Sequence, residues 1–169
     1  RVTGRIGIAL TITDQGLPNA ITGLACAFHA CSPVVVLMAR LPDAWIEPEA
    51  EHDSLSLALL RPVTKWCRTV PSVARLAEYI DVACRHALAG RPGPVVLQVP
   101  QEFFAQGCAD SAGGPRPRPE TAVAHPDPAA IARAADLIIA ARRPLVITGA
   151  GATRGEAASA LRTTSEEFG

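Results

Sequence analysis

Pro33-Val34-Val35-Val36-Leu37-Met38-Ala39 is apolar at every position and rich in β-branched residues. A strand with one wet face alternates. A continuous run of this kind is covered on both faces, as a central strand of a parallel sheet is. The stretch before it supplies the other half of a βαβ unit. Gly7–Thr13 is a short apolar run, read as a buried strand. Asp14-Gln15-Gly16-Leu17-Pro18 interrupts it. Asn19–Ala30 follows with helical spacing and sets Ile21, Leu24, Ala25 and Phe28 on one face. Ser32-Pro33 ends that helix, and the crossover is expected to be right-handed. In open α/β sheets ligands sit at such strand-to-helix corners. Here Gly16 would let a ligand approach the backbone, beside unpaired N–H groups of a first helical turn.

The same alternation continues. Arg40–Ser56 carries Pro42, Pro48, Glu47, Glu49, Glu51 and Asp53, which is too polar for core. It is expected to be a surface loop ending in a short helix, its acids a solvated face. Arg61–Val70 alternates roughly and reads as a short strand. Pro71-Ser72 opens a helix to Ala89 with an apolar stripe of Val73, Leu76, Ala77, Ile80, Ala83, Cys84, Ala87 and Leu88. Gly90 is placed at C′, where a left-handed residue ends a helix. Val95–Val99 is another apolar strand, stopped by Pro100. The order β-α-β-loop-β-α-β is α/β architecture with a parallel sheet.

Gln106–Pro126 changes character: Gly113, Gly114, Pro115, Pro117, Pro119 and Pro126 mark a linker. A second unit follows. Asp127 suits an N-cap with Pro128 at N1, and the helix is expected to reach about Arg142. Ile131, Ala135, Ile138 and Ile139 would face its core, with Arg142 and Arg143 at the end that favours positive charge. Leu145–Thr148 reads as a strand. Gly149-Ala150-Gly151-Ala152 then turns into a last helix from about Gly155. Gly149, Gly151 and Gly155 are spaced GxGxxxG, not the GxGxxG of dinucleotide folds, so a nucleotide-binding domain is only a rival reading.

Composition limits the partners. The 169 residues carry no formal net charge, which offers no footing to nucleic acid or an anionic membrane. No apolar run approaches the ~20 residues of a membrane span. The five cysteines are odd in number and form no CxxC, which fits a reduced, cytoplasmic setting. Cys26, His29 and Cys31 lie close together, but on a helix Cys26 and Cys31 would point about 140° apart. They are read as buried helix cysteines, and no metal site is expected. The chain opens on Arg1 without a signal-peptide pattern and is expected to be a fragment.

Several stretches carry a resemblance, in order along the chain. They are Arg1–Leu10, Gly16 with Asn19–Ala25, Ser32–Val35, Arg61-Pro62-Val63-Thr64-Lys65-Trp66, and Gly90-Arg91-Pro92-Gly93-Pro94-Val95-Val96-Leu97-Gln98-Val99-Pro100. They resemble the pyrimidine-binding domain of thiamine-diphosphate enzymes, above all the acetolactate synthase group. Asp127–Gly169 is similar to the start of that group's central domain. The resemblance implies a partial pyrimidine-binding domain at 1–105, a linker at 106–126 and a truncated, Rossmann-like central domain at 127–169. It implies decarboxylation of 2-oxo acids and carbon–carbon bond formation, with thiamine diphosphate and Mg²⁺ as cofactors and FAD in the central domain of some relatives. A full-length homodimer or homotetramer is implied too. The activating glutamate would precede Arg1 and the diphosphate and Mg²⁺ site would follow Gly169, so the isolated chain is expected to be inactive. Gly16 and Asn19 match the loop under the pyrimidine, while Asp14, Gln15 and Pro18 depart from it. Counting back from Arg61, Glu51-His52-Asp53 takes the place of the family's Phe-Gln-Glu. His52 is therefore a candidate proton handler, with an unperturbed pKa near ~6.5. These departures keep a second reading open, a non-catalytic paralogue or partner-binding module with the same fold.

Overall fold

A computed structural model describes residues 5–12, 15–45, 56–107, 125–152 and 155–167. The chain divides into two compact units, Arg1–Val123 and Ala124–Gly169.

The first unit is α/β. Its elements run β1 (Gly7–Thr11), α1 (Gly16–His29), β2 (Val34–Arg40), α2 (Ser56–Leu60), β3 (Trp66–Thr69), α3 (Leu76–Leu88) and β4 (Pro94–Pro100). All three pairings are parallel, in the order β1-β2-β4-β3. β2 and β4 are the central strands and run level from Val34↔Pro94 to Arg40↔Pro100. Their apolar sequences suit that place, and every residue of β4 is buried.

Two cores lie against the sheet. One gathers Leu17 and Leu24 of α1 with Val36, Met38, Leu60, Cys67 and Val96. The other gathers Ala83 and Ala87 of α3 with Val35, Val70, Val95, Leu97 and Val99. Successive strand residues point to opposite faces, so Val35 and Val36, or Val95 and Val96, serve different cores. β1 is an edge strand: Ile8, Leu10 and Ile12, two apart and on one face, are all exposed.

Local chemistry moves several boundaries. α1 begins at Gly16, so Leu17 and Pro18 belong to its first turn and not to the interrupting loop. A proline there forfeits nothing, because N–H groups of the first turn have no intrahelical acceptor. The helix after Ser72 opens as a 3₁₀ turn, Val73–Arg75, before α3. Ala77, expected in its stripe, is exposed. Gly90 follows the Ala89 cap with φ of 58°, the left-handed C′ residue expected there. Only Trp66–Thr69 of the Arg61–Val70 stretch is strand, and a 3₁₀ turn covers Arg61–Val63.

The second unit holds α4 (Pro128–Ala140) and α5 (Gly155–Glu167). Asp127 caps α4, its Oδ1 accepting from the Ala129 N–H at 3.0 Å. The helix stops at Ala140, two residues short of Arg142. Leu145–Thr148 is not a strand, because no ladder partner pairs with it among the described residues, and Ile147 stays 88% exposed. The apolar stripe of α4 is likewise uncovered at Ile131 and Ile139. A cleft of about 800 Å³ lies in this unit, lined among others by Ile138, Arg142, Val146, Leu161 and Arg162.

Among the described residues no helix is long and apolar enough to cross a membrane. Most of the expected linker lies outside the described residues.

Candidate functional site

Parallel strands place the loops that follow them at one end of the sheet. The corner after β1 therefore stands beside the turn after β2, and that turn beside the segment after β4. α1 and α3 lie in different cores, on opposite faces, so the chain changes side between β2 and β4. Crevices that bind ligands open at carboxyl ends near such switch points.

Gly16 begins α1 directly after the β1 corner. A Cβ at this position would fall 2.0 Å from Thr11 Oγ1 and 3.1 Å from Ile12 Cγ1. The close neighbour that requires glycine here is thus the chain's own strand end. Asn19, one turn into the helix, is exposed, and its Nδ2 donates to the Gln15 carbonyl at 3.1 Å. That leaves its side-chain oxygen as an outward acceptor. Gln15 and Pro18 are exposed as well, and no side chain caps the helix. The N–H groups of Gly16 and Leu17 lie in this uncapped turn, and Pro18 has none.

The next two loops are tied together. Arg40, the last residue of β2, donates from Nη1 to Asp43 Oδ1 at 2.5 Å. The Asp43 N–H donates to Glu102 Oε1 at 3.2 Å, across 59 residues of sequence. Among the described residues, buried Glu102 Oε2 meets no hydrogen-bond donor. Nearby on β4, buried Gln98 accepts from Thr69 Oγ1 at 2.9 Å, which joins β4 to β3. Nothing in the sequence pattern singled out Arg40, Asp43 or Glu102. The available signal was an acidic residue two places after a fully buried strand.

The motif stretches occupy the opposite end. Lys65 Nζ donates to the His86 and Ala89 carbonyls at 2.5 and 2.6 Å and so caps α3. Gly93 makes room for the Lys65 stem, since a Cβ there would fall 3.0 Å from its Cδ. The Lys65 N–H reaches the Pro94 carbonyl at 2.9 Å, and the Thr64 hydroxyl reaches the Leu60 carbonyl at 2.9 Å. Arg91 closes α1 in the same manner: Nη2 donates to the Phe28 and His29 carbonyls, both at 3.3 Å, and Nε lies 3.0 Å from Cys31 Sγ. The Arg-Pro-x-Thr-Lys and Gly-Arg-Pro-Gly-Pro stretches are therefore architectural. His86 stacks on Trp66 with centroids 5.0 Å apart. Burial, then the charges of Lys65, Arg68 and Arg85, hold its pKa below the usual value.

Asp14, Glu51, His52 and Asp53 lie outside the described residues, so the corner is described at Gly16 and Asn19 alone. The cysteine expectation needs correcting. Cys26 is exposed, because it falls on the solvent side of α1, and Cys31 sits in a left-handed turn with φ of 51° beyond the helix. Cys67 on β3 is the buried one. Among the described residues no three His, Cys, Asp or Glu side chains cluster as metal ligands. At the glycine corner of the second unit, a Cβ on Gly149 or Gly151 meets nothing within 4 Å.

No family model matches the chain. Individual relatives do. The catabolic acetolactate synthase of Raoultella terrigena is 35% identical over 162 residues, which cover 95% of this chain and 28% of that protein. The acetolactate synthase large subunit of Parasynechococcus marenigrum is 30% identical over 177 residues, 99% of this chain and 28% of its own length. Isozyme 3 of the large subunit from Escherichia coli is 30% identical over 171 residues, 98% and 29%. The chain belongs to the acetolactate synthase group.

It spans less than a third of the length of these acetolactate synthases. The similarity runs through both units. Of the stretches that carried the resemblance, those of Lys65 and Arg91 brace the amino end of the sheet in this acetolactate synthase segment, while Gly16 and Asn19 stand at the carboxyl end, where Asn19 is exposed.

Proposed function

We infer that this chain is a segment of a longer, thiamine-diphosphate-dependent carboligase, its pyrimidine-binding part and the start of its central domain. It would act on 2-oxo acids such as pyruvate, and its β1–α1 corner would be the wall on which the cofactor's pyrimidine rests. One observation carries the reading: relatives named acetolactate synthase match 95–99% of the chain, the corner included.

The residues present fit the group. Thiamine diphosphate supplies the carbon nucleophile and electron sink for decarboxylating a 2-oxo acid and joining it to a second carbonyl compound. A flat heteroaromatic ring needs an open surface with hydrogen-bonding groups at its rim. Gln15, Pro18 and Asn19 are exposed around the corner, and the Asn19 side-chain oxygen is an acceptor there. Gly16 packs α1 tightly onto the end of β1 and so fixes where that acceptor stands. His52 is proposed, from its place in the sequence alone, as a proton handler for the same reaction. The diphosphate and Mg²⁺ would be held by segments outside this sequence. The unit boundaries proposed are a pyrimidine-binding part at 1–105, a linker at 106–126 and the start of a central domain at 127–169, where FAD is an option. A homodimer or homotetramer in the cytoplasm completes the reading, the location resting on the unpaired thiols.

The test is an assay of the longer protein with pyruvate. Formation of acetolactate that depends on added thiamine diphosphate and Mg²⁺ supports the reading. Turnover by the 169-residue chain alone would overturn the division of the site, and cofactor-independent behaviour of the longer protein would favour the non-catalytic module.

A further inference from the structure

We propose that Glu102 is a positioning residue of the cofactor corner: its carboxylate fixes the turn after β2, the loop that stands beside the Gly16–Asn19 wall. The proposal rests on the thiamine-diphosphate reading above.

Three consecutive strands of the sheet carry the argument. β1 ends in the corner, β2 in the turn from Leu41 to Trp45, and β4 in the segment with Glu102. The turn after β2 is thus the middle of three adjacent loops. It changes direction through a 3₁₀ turn at Asp43–Trp45, whose first N–H has no partner within so short a helix. Glu102 supplies that partner from the neighbouring strand's loop, through Oε1 at 3.2 Å. Arg40 holds the Asp43 side chain from below at 2.5 Å. The turn is therefore fixed from two sides, by the strand it leaves and by the strand next to it.

The second carboxylate oxygen argues that this is more than a surface tie. Glu102 Oε2 is buried without a donor among the described residues, and leaving such an atom unpaired costs stability. A carboxylate that merely capped an exposed turn would leave both oxygens to water. Burial of the second one fixes the group's orientation, and with it the position of the Asp43 backbone at the carboxyl end of the sheet. The carboxyl ends at a switch point are where such a cost is recovered by ligand placement.

Hydrogen exchange and calorimetry on the longer protein test this. Glu102→Leu removes the acceptor at similar size, and Glu102→Gln keeps an acceptor oxygen for Asp43. In cofactor-free protein, Glu102→Leu is expected to speed amide exchange at Asp43 about tenfold while exchange in β2 and β4 is unchanged. The same variant is expected to weaken thiamine diphosphate binding about fivefold, and Glu102→Gln to restore both. Unchanged exchange at Asp43 overturns the proposal. So does faster exchange with unaltered affinity, which would make Glu102 a cap only. If the unmutated protein binds no thiamine diphosphate while exchange responds as described, the cofactor reading has failed and the turn-holding contact stands. Should Glu102→Leu not fold, Glu102→Ala is read in the same way.

Discussion

Gly16 stands where any other residue would drive its Cβ to 2.0 Å from the Thr11 hydroxyl oxygen. Thr11 is β-branched and stiff at χ1, and its own Cβ would lie 3.3 Å away, so turning the hydroxyl aside relieves the clash only in part. The strand end and the helix start are locked at a spacing that only glycine permits. Gly16→Ala is therefore expected to destabilise the unit by about 1–3 kcal/mol, as overpacking does. Adding Thr11→Ala should recover part of that loss in denaturant unfolding. Strict additivity of the two changes would contradict the contact.

The amino end makes a second prediction. Lys65 satisfies two carbonyls at the end of α3, which no backbone donor of the helix can reach. Lys65→Met keeps most of the stem against Gly93 and removes the ammonium. It should cost about 1–2 kcal/mol in chemical denaturation, with faster amide exchange in the last turn of α3. An unchanged midpoint would mean that water replaces the cap without loss.

His86 makes stability depend on pH. Its folded pKa lies below the usual 6.5 because burial and three neighbouring cations disfavour the imidazolium. As pH falls through about 6.5 the unfolded chain takes up this proton first, and the native state loses ground. The contribution is complete above that pH and shrinks below it. Thermal midpoints between pH 5 and pH 7.5 should rise with pH, and His86→Phe, which keeps the stack on Trp66, should flatten that slope. A steeper slope in the variant would contradict the assignment.

Thiol reactivity checks how the cysteines are placed. Cys26 is exposed and Cys67 buried. In the native state Cys26 is expected to be alkylated at least about tenfold faster, and the difference should vanish in denaturant. Equal native rates would mean that β3 opens as readily as the surface of α1 reacts.

Much of the fold was legible because burial writes itself into apolar runs. Val34–Met38 and Val95–Val99 announced central strands, and Gly90 and Asp127 announced helix ends through backbone conformation and capping. Strand order was not legible, because periodicity says that a strand is buried and not which strand lies beside it. Leu145–Thr148 has the composition of a strand yet no ladder among the described residues, since pairing is a property of neighbours. Pro18 read as a breaker, although a first helical turn tolerates it. At the site, Gly16 was legible from its place at a strand-to-helix corner, and Asn19 from the resemblance. Glu102 was missed because its partner lies 59 residues away.

The central claim is that the corner after β1 seats the pyrimidine of thiamine diphosphate. Its most direct test is a calorimetric titration of thiamine diphosphate, with Mg²⁺ present, into the longer protein and its Asn19→Ala variant. Saturable binding by the first and about five- to tenfold weaker binding by the second, at unchanged thermal stability, is the expected result. No binding by the unmutated protein, or equal affinity in the variant, would contradict it.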